Sequence, residues 1–262
     1  MKAIDIHGHI ASWPTLNDTE EAILTSMENH GIRFTLVSHC DAAEFPSVGD
    51  ETPRGLDSVA IHEELLAFQR ANPSRIGGYF WIRPHDEKVT PKLREYIHEH
   101  RDDIYGLKFH PYTAQVKIND PRMDEYYRLA EKEGLPVLVH TAMDIYSSIK
   151  YLADVAGRFP KVRFIAAHLE LCSNHECAIE VMKEHPNIYC DTAWVDMATA
   201  KKVIDEVGED RIFFGTDNPI DGKGTLANPL YASYFKNEVG LPKKQYEKLM
   251  GKNAEAFFHL PR

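Results

Sequence analysis

Eight short apolar runs recur along this chain at an average spacing of about 30 residues, the size of one strand plus a crossover helix. They are Ala3 to Ile6, Phe34 to Val37, Tyr79 to Ile82, Ile104 to Phe109, Pro136 to Val139, Val162 to Ala167, Ile188 to Thr192 and Ile212 to Gly215. Each has the length of a buried strand. Amphipathic segments of helical length lie between them: Glu20 to His30 closed by Gly31, Leu56 to Ala71 before Asn72-Pro73, Pro91 to Arg101, Pro121 to Glu133 followed by Gly134, Tyr146 to Arg158, Ser173 to Glu184 and Asp196 to Glu206. Two more follow, Pro229 to Asn237 and Pro242 to Phe258. Strands alternating with helices predict a parallel sheet, and eight repeats with no leftover edge predict a closed (β/α)8 or TIM barrel, with a doubly wound open sheet as the alternative α/β fold. Such barrels run to about 250 residues, so residues 1–262 are expected to form a single domain.

Composition removes several classes of function. Hydrophobic content of 43% and charged content of 27% are ordinary for a globular protein, and no stretch approaches the roughly 20 apolar residues of a membrane span. The first apolar run is too short for a signal peptide. A net charge of -10 without a basic block argues against a nucleic-acid partner. Cys40, Cys172, Cys177 and Cys190 lack the paired spacing of a zinc ribbon and read as reduced thiols, which fits a cytoplasmic location.

Polar chemistry gathers where the runs end. His7 and His9 close the first; on a strand, residues two apart point the same way, so both imidazoles can share one divalent cation. His39 closes the second run, Arg83 the third, Lys108 and His110 the fourth, His140 the fifth, His168 the sixth and Asp217 the eighth, whereas the seventh offers no chemically capable residue on this reading. In a barrel these ends converge on one face. Three imidazoles and a carboxylate with a position left for water suit a catalytic zinc-type shell, and such an ion lowers the pKa of bound water to about 7. Histidines within the helical segments, His62 among them, are expected on solvated surface. The long turn-rich connections His39 to Asp57 and Asn218 to Asn228 are expected to wall the pocket. Arg83 suits a substrate carboxylate; a salt bridge to Asp86 or Glu87 is its alternative.

The stretches Ile4-Asp5-Ile6-His7-Gly8-His9, Gly106-Leu107-Lys108-Phe109-His110-Pro111, Val137-Leu138-Val139-His140-Thr141, Ala166-Ala167-His168, Tyr189-Cys190-Asp191-Thr192 and Phe213-Phe214-Gly215-Thr216-Asp217-Asn218-Pro219 together resemble the amidohydrolase superfamily, in particular its amidohydrolase-2 branch of small metal-dependent hydrolases and decarboxylases. The resemblance implies that His7, His9 and His140 bind metal, that Asp217 ligates it and handles the catalytic proton, and that His168 polarises water and substrate or binds a second metal. It implies the same barrel; the β-sandwich of larger members is not expected, since the first strand starts at once.

One ion is the expectation, with Lys108 and His110 facing substrate; in two-metal members a carboxylated lysine bridges the ions, and Lys108 stands where that lysine would. Zinc is the expected metal, and manganese or iron fits the same donors. The expected activity is hydrolysis of an amide, lactone or ester of a small, anionic substrate by metal-activated water. The alternatives are nonoxidative decarboxylation of an aromatic or unsaturated acid, and a barrel that binds metal or ligand without turnover. A homodimer is the default assembly.

Overall fold

The computed structural model describes residues 2–12, 18–44, 55–220 and 228–260. Eight strands form one sheet in sequence order: β1 (Ala3–Ile10), β2 (Ile32–His39), β3 (Ile76–Trp81), β4 (Ile104–Phe109), β5 (Val137–Ala142), β6 (Phe164–Leu171), β7 (Ile188–Asp191) and β8 (Ile212–Phe213). Every neighbouring pair is parallel. β8 is only two residues long by regular pairing, yet the sheet closes: Ile6 N–H donates to the Phe214 carbonyl at 3.0 Å, Asp217 N–H to His7 at 2.7 Å and His9 N–H to Asn218 at 2.8 Å. This is the (β/α)8 barrel that the repeat predicts.

Helices α1 (Thr19–His30), α2 (Ser58–Ala71), α3 (Pro91–Glu99), α4 (Pro111–Ala114), α5 (Asp124–Glu133), α6 (Ile149–Arg158), α7 (Glu176–Glu184) and α8 (Met197–Glu206) follow the strands, and α9 (Leu230–Lys236), α10 (Lys243–Glu247) and α11 (Asn253–Phe258) complete the described chain. Their ends follow local chemistry. Thr90 Oγ1 accepts from Leu93 N–H with Pro91 in the first turn, Asp57 accepts from Ala60 N–H, and Gly31 and Gly134 take the left-handed conformation at helix ends. α6 starts three residues later than Tyr146, because the Asp144 carboxylate accepts from the Tyr146 and Ser147 N–H groups and holds that stretch as a turn.

Two apolar layers make the core. Inside the barrel, Ile4, Ile6, Phe34, Leu36, Tyr79, Leu138, Ile165 and Phe213 pack together, and Phe258 and Leu260 join them from the chain's end. Outside, side chains such as Ile23, Leu65, Leu129, Val155 and Val203 seal the helices onto the sheet. His62 corrects the expectation of a solvated surface: it is buried on α2 against Phe80, with Tyr96 Oη 2.9 Å from its Nδ1.

The β1 strand changes phase partway. Ile4 and Ile6 face the barrel interior, and the register slips between Asp5 and Gly8. Beyond the slip, a side chain on Gly8 would point outward, within 3.1 to 3.2 Å of Ile23, Thr35 and Val37. The odd-numbered His7 and His9 therefore take the inward face that Ile4 and Ile6 hold lower down. Simple alternation places the histidines together, as expected, but the bulge is what turns them inward.

β4 and β5 approach closely at Gly106, where a Cβ would lie 2.8 Å from the Pro136 carbonyl oxygen. Backbone on that side cannot yield as a side chain would, so Gly106→Ala is expected to destabilise the protein by about 1–3 kcal/mol. The drop should appear as a lower urea midpoint, and an unchanged midpoint would show that the two strands part freely.

Candidate metal centre

The C-terminal ends of the strands bring His9, His110, His140 and His168 together with Asp217 at one cavity of about 320 Å³, and His7 stands against Asp217 without lining that cavity. Its wall includes Trp81, Lys108, His110, Leu171, Trp194 and Ile220. Two larger clefts, of about 590 and 420 Å³, are lined by residues such as Gly31 and Met250 or Tyr105 and His259 and contain none of these strand-end groups. Chemistry rather than size therefore marks the site.

His7 is fully buried, and its Nδ1–H donates to Asp191 Oδ2 at 2.7 Å. That bond assigns the tautomer and leaves the lone pair on Nε2. His7 Nε2 then lies 3.3 Å from Asp217 Oδ1 and 2.9 Å from the Lys108 ammonium, which donates to it. His9 Nε2 lies 2.8 Å from the same Asp217 oxygen. Its Nδ1 is 3.0 Å from Ser38 Oγ and 3.2 Å from Cys40 Sγ. A serine hydroxyl either donates or accepts, so His9 can present an N–H to Asp217 or turn a lone pair toward a cation.

Burial shapes the charges. It lowers the proton affinity of His7, His9, His140 and His168, the last to about 4, and pushes the Asp191 carboxyl up to about 6. Burial also works to raise Asp217, but the imidazoles of His7, His9 and His168 outweigh it and hold that carboxyl well below its usual range. Lys108 is lowered by burial against the pull of Asp217 and Asp191. Neutral imidazoles beside an ionised carboxylate are the protonation states a divalent cation requires.

The ligand atoms of His7, His9 and Asp217 lie within 4.8 Å of one another, as do those of His7, His168 and Asp191. The residues thus fit a divalent ion of nitrogen and oxygen preference. Asp191 is already committed: besides His7, it accepts from the N–H groups of His168 at 2.9 Å and Ala193 at 3.1 Å. A carboxylate bonded in this way orients a ligand rather than serving as one. His140 lines the same cavity but belongs to neither close group; its ring stacks on His110 at 3.9 Å and meets His168 at 4.8 Å. His110 in turn lies parallel to Trp81, at 6.2 Å.

Three sequence expectations change here. Arg83 does not line the cavity: its guanidinium donates to Asp86 at 2.9 Å, Glu87 at 3.2 Å and the Leu56 carbonyl at 2.6 Å, the salt-bridged alternative. Two carboxylates within reach along its own loop hold its two terminal nitrogens. The seventh strand end does carry chemistry, in the fully buried Asp191. His39 does not face the cavity: its Nδ1 accepts from Asp41 N–H at 3.3 Å and its Nε2 lies 3.5 Å from Glu64. Of the two long connections, the described residues Cys40, Ala43 and Ile220 line the cavity. Pro46, Gly49, Pro53, Gly222 and Gly224 lie outside the described residues.

Sequence reasoning gave no role to Ser38, Asp191 or Trp194, although Asp191 stands in one of the stretches that carry the family resemblance. As a lone acid closing an apolar run, Asp191 also had a signal of its own; Ser38 and Trp194 are conspicuous only through their partners.

A sequence profile for a family described as Amidohydrolase matches residues 4–260. A dihydroorotase of Alcanivorax borkumensis is 24% identical over 216 residues, so that the match spans 62% of this chain and 62% of that relative's length. A 5-carboxyvanillate decarboxylase of Novosphingobium aromaticivorans, solved with manganese and 4-hydroxy-3-methoxy-5-nitrobenzoic acid, shares the fold with a TM-score of 0.73 and 13% identity over 99% of this chain and 96% of that one. A probable 2-pyrone-4,6-dicarboxylic acid hydrolase of Acinetobacter baumannii, solved with citric acid, does so with a TM-score of 0.68 and 13% identity over 99% and 100%.

Replacing Asp191 by Asn removes a charge-assisted acceptor from His7 while keeping the side chain's size. Divalent-metal affinity is expected to fall about 10- to 100-fold, measured by competition with a chelator. Equal affinity would mean that Asp191 does not set His7.

Proposed function

Because the chain belongs to the amidohydrolase family, we propose that it is a metal-dependent hydrolase of a small amide, lactone or ester. The observation that carries this reading is the convergence of His7 Nε2 and His9 Nε2 on Asp217 Oδ1, with His9 and Asp217 on the cavity wall. In it, His7, His9 and Asp217 hold the ion, and His140 is the fourth candidate from the same cavity. When bound, a divalent cation there supplies Lewis acidity toward a carbonyl and lowers the pKa of water.

The chain's own groups do the rest. Asp217, kept ionised by its imidazole neighbours, takes the proton of the attacking water and returns it to the leaving group. His168, neutral, donates its Nδ1–H to the Ala193 carbonyl at 3.3 Å, which leaves a lone pair on Nε2 to accept a hydrogen bond from the attacking water. Lys108 is the cation on the cavity wall and faces an anionic substrate group. Trp81, Leu171 and Ile220 exclude water around it. The volume, near the small end for ligand sites, suits a small molecule.

Decarboxylation is the second reading, favoured by one feature: the parallel Trp81 and His110 rings form a flat wall beside Lys108, shaped for a planar acid. The metal in that reading is the same, and zinc is our assignment, with manganese the ion in one structural relative.

The test is metal analysis of the purified protein with a count per chain, then a panel of lactones, esters, amides and aromatic acids. One ion per chain and product release without CO2 are expected; stoichiometric CO2 would select the second reading. Asp217→Asn should lower turnover about 10²- to 10⁴-fold, and wild-type turnover in that variant would refute the proton chemistry.

A further inference from the structure

Trp194 touches both the cavity and the carboxylate at its edge. It follows β7, and its backbone is left-handed, with φ 62°. A non-glycine residue holds that conformation only under constraint. Here Val195 N–H donates to the Thr192 carbonyl at 3.0 Å and Trp194 N–H donates to Tyr231 Oη at 3.1 Å. The Tyr231 hydroxyl, fully buried on α9, donates in turn to the Thr216 carbonyl. The root of the indole is thus tied to the segment that carries Asp217.

An indole has one hydrogen to donate, fixed in the ring plane. Trp194 gives it to Asp217 Oδ2 at 2.8 Å, while Oδ1 faces His9 and His7. The backbone of Asp217 is held independently, by its N–H on the His7 carbonyl. What Trp194 adds is the orientation of the side chain. If the carboxylate rotated, Oδ2 would lose its donor within a buried site.

We propose that Trp194 is a positioning residue: its indole N–H pins Asp217 so that a single oxygen, Oδ1, is offered to the metal, while its ring forms part of the cavity wall. The inference rests on the metal-centre reading above for its consequence, but the hydrogen bond is testable without it.

Trp194→Phe keeps an aromatic wall and removes the N–H. In chelator competition the Zn²⁺ dissociation constant of this variant is expected to rise about 10- to 100-fold, with the thermal midpoint of the metal-free protein shifted by no more than a few degrees. An affinity within twofold of wild type overturns the proposal. The second measurement is the indole ¹H–¹⁵N resonance of Trp194, assigned by its loss in the Phe variant. Slow solvent exchange in the wild type and a shift in Asp217→Asn are expected; rapid exchange and no shift overturn the proposal. Should the wild type take up no Zn²⁺, the metal-centre reading fails, and the resonance alone decides whether Trp194 orients Asp217.

Discussion

The seam between β1 and the segment after β8 carries the rest of this structure. Closing a barrel requires the last strand to hydrogen-bond to the first, and here regular pairing in β8 ends at Phe213. The closure is made by Ile6 with Phe214, His7 with Asp217 and His9 with Asn218. One of these three bonds joins His7 to Asp217, whose side chains also meet, and a second anchors the backbone of His9. Asp5 reinforces the seam from within, accepting from His7 N–H at 3.0 Å and from the Thr216 N–H and hydroxyl at 3.1 and 2.5 Å. Fold and site share one set of bonds, so the site's precision comes from barrel closure itself.

Around that seam, side chains outside the close ligand group decide how the imidazoles present themselves. Asp191 takes one nitrogen of His7, Ser38 stands at one nitrogen of His9, and Trp194 takes one oxygen of Asp217. Each leaves a single atom to face the middle. Burial then keeps the imidazoles neutral and their neighbours keep Asp217 charged, so orientation and protonation state arise from different causes and agree. Lys108, donating to His7, is the positive charge facing this group.

Much of the architecture was readable in the chain. The apolar run Ile104 to Phe109 is β4 to the residue, and the other seven overlap their strands. Strand length and apolar content are local properties, and the parallel barrel follows from their repetition. Departures were local: the Asp144 carboxylate delays α6, and the predicted helix Pro242 to Phe258 is divided between α10 and α11 by a kink at Gly251, whose backbone leaves the helical region.

For the site, the sequence by itself determined which residues reach one face: His7 and His9 by their spacing, and His140, His168 and Asp217 by closing their runs. Position along a strand is local, and a barrel converts it into a shared destination. Only the tertiary structure decided partners. Arg83 turned to Asp86 and Glu87, Asp191 proved to hold His7 from 184 positions away, and Trp194 found Asp217 across a loop. Hydrogen bonds are chosen by direction and distance in three dimensions, and neither is written in the order of residues.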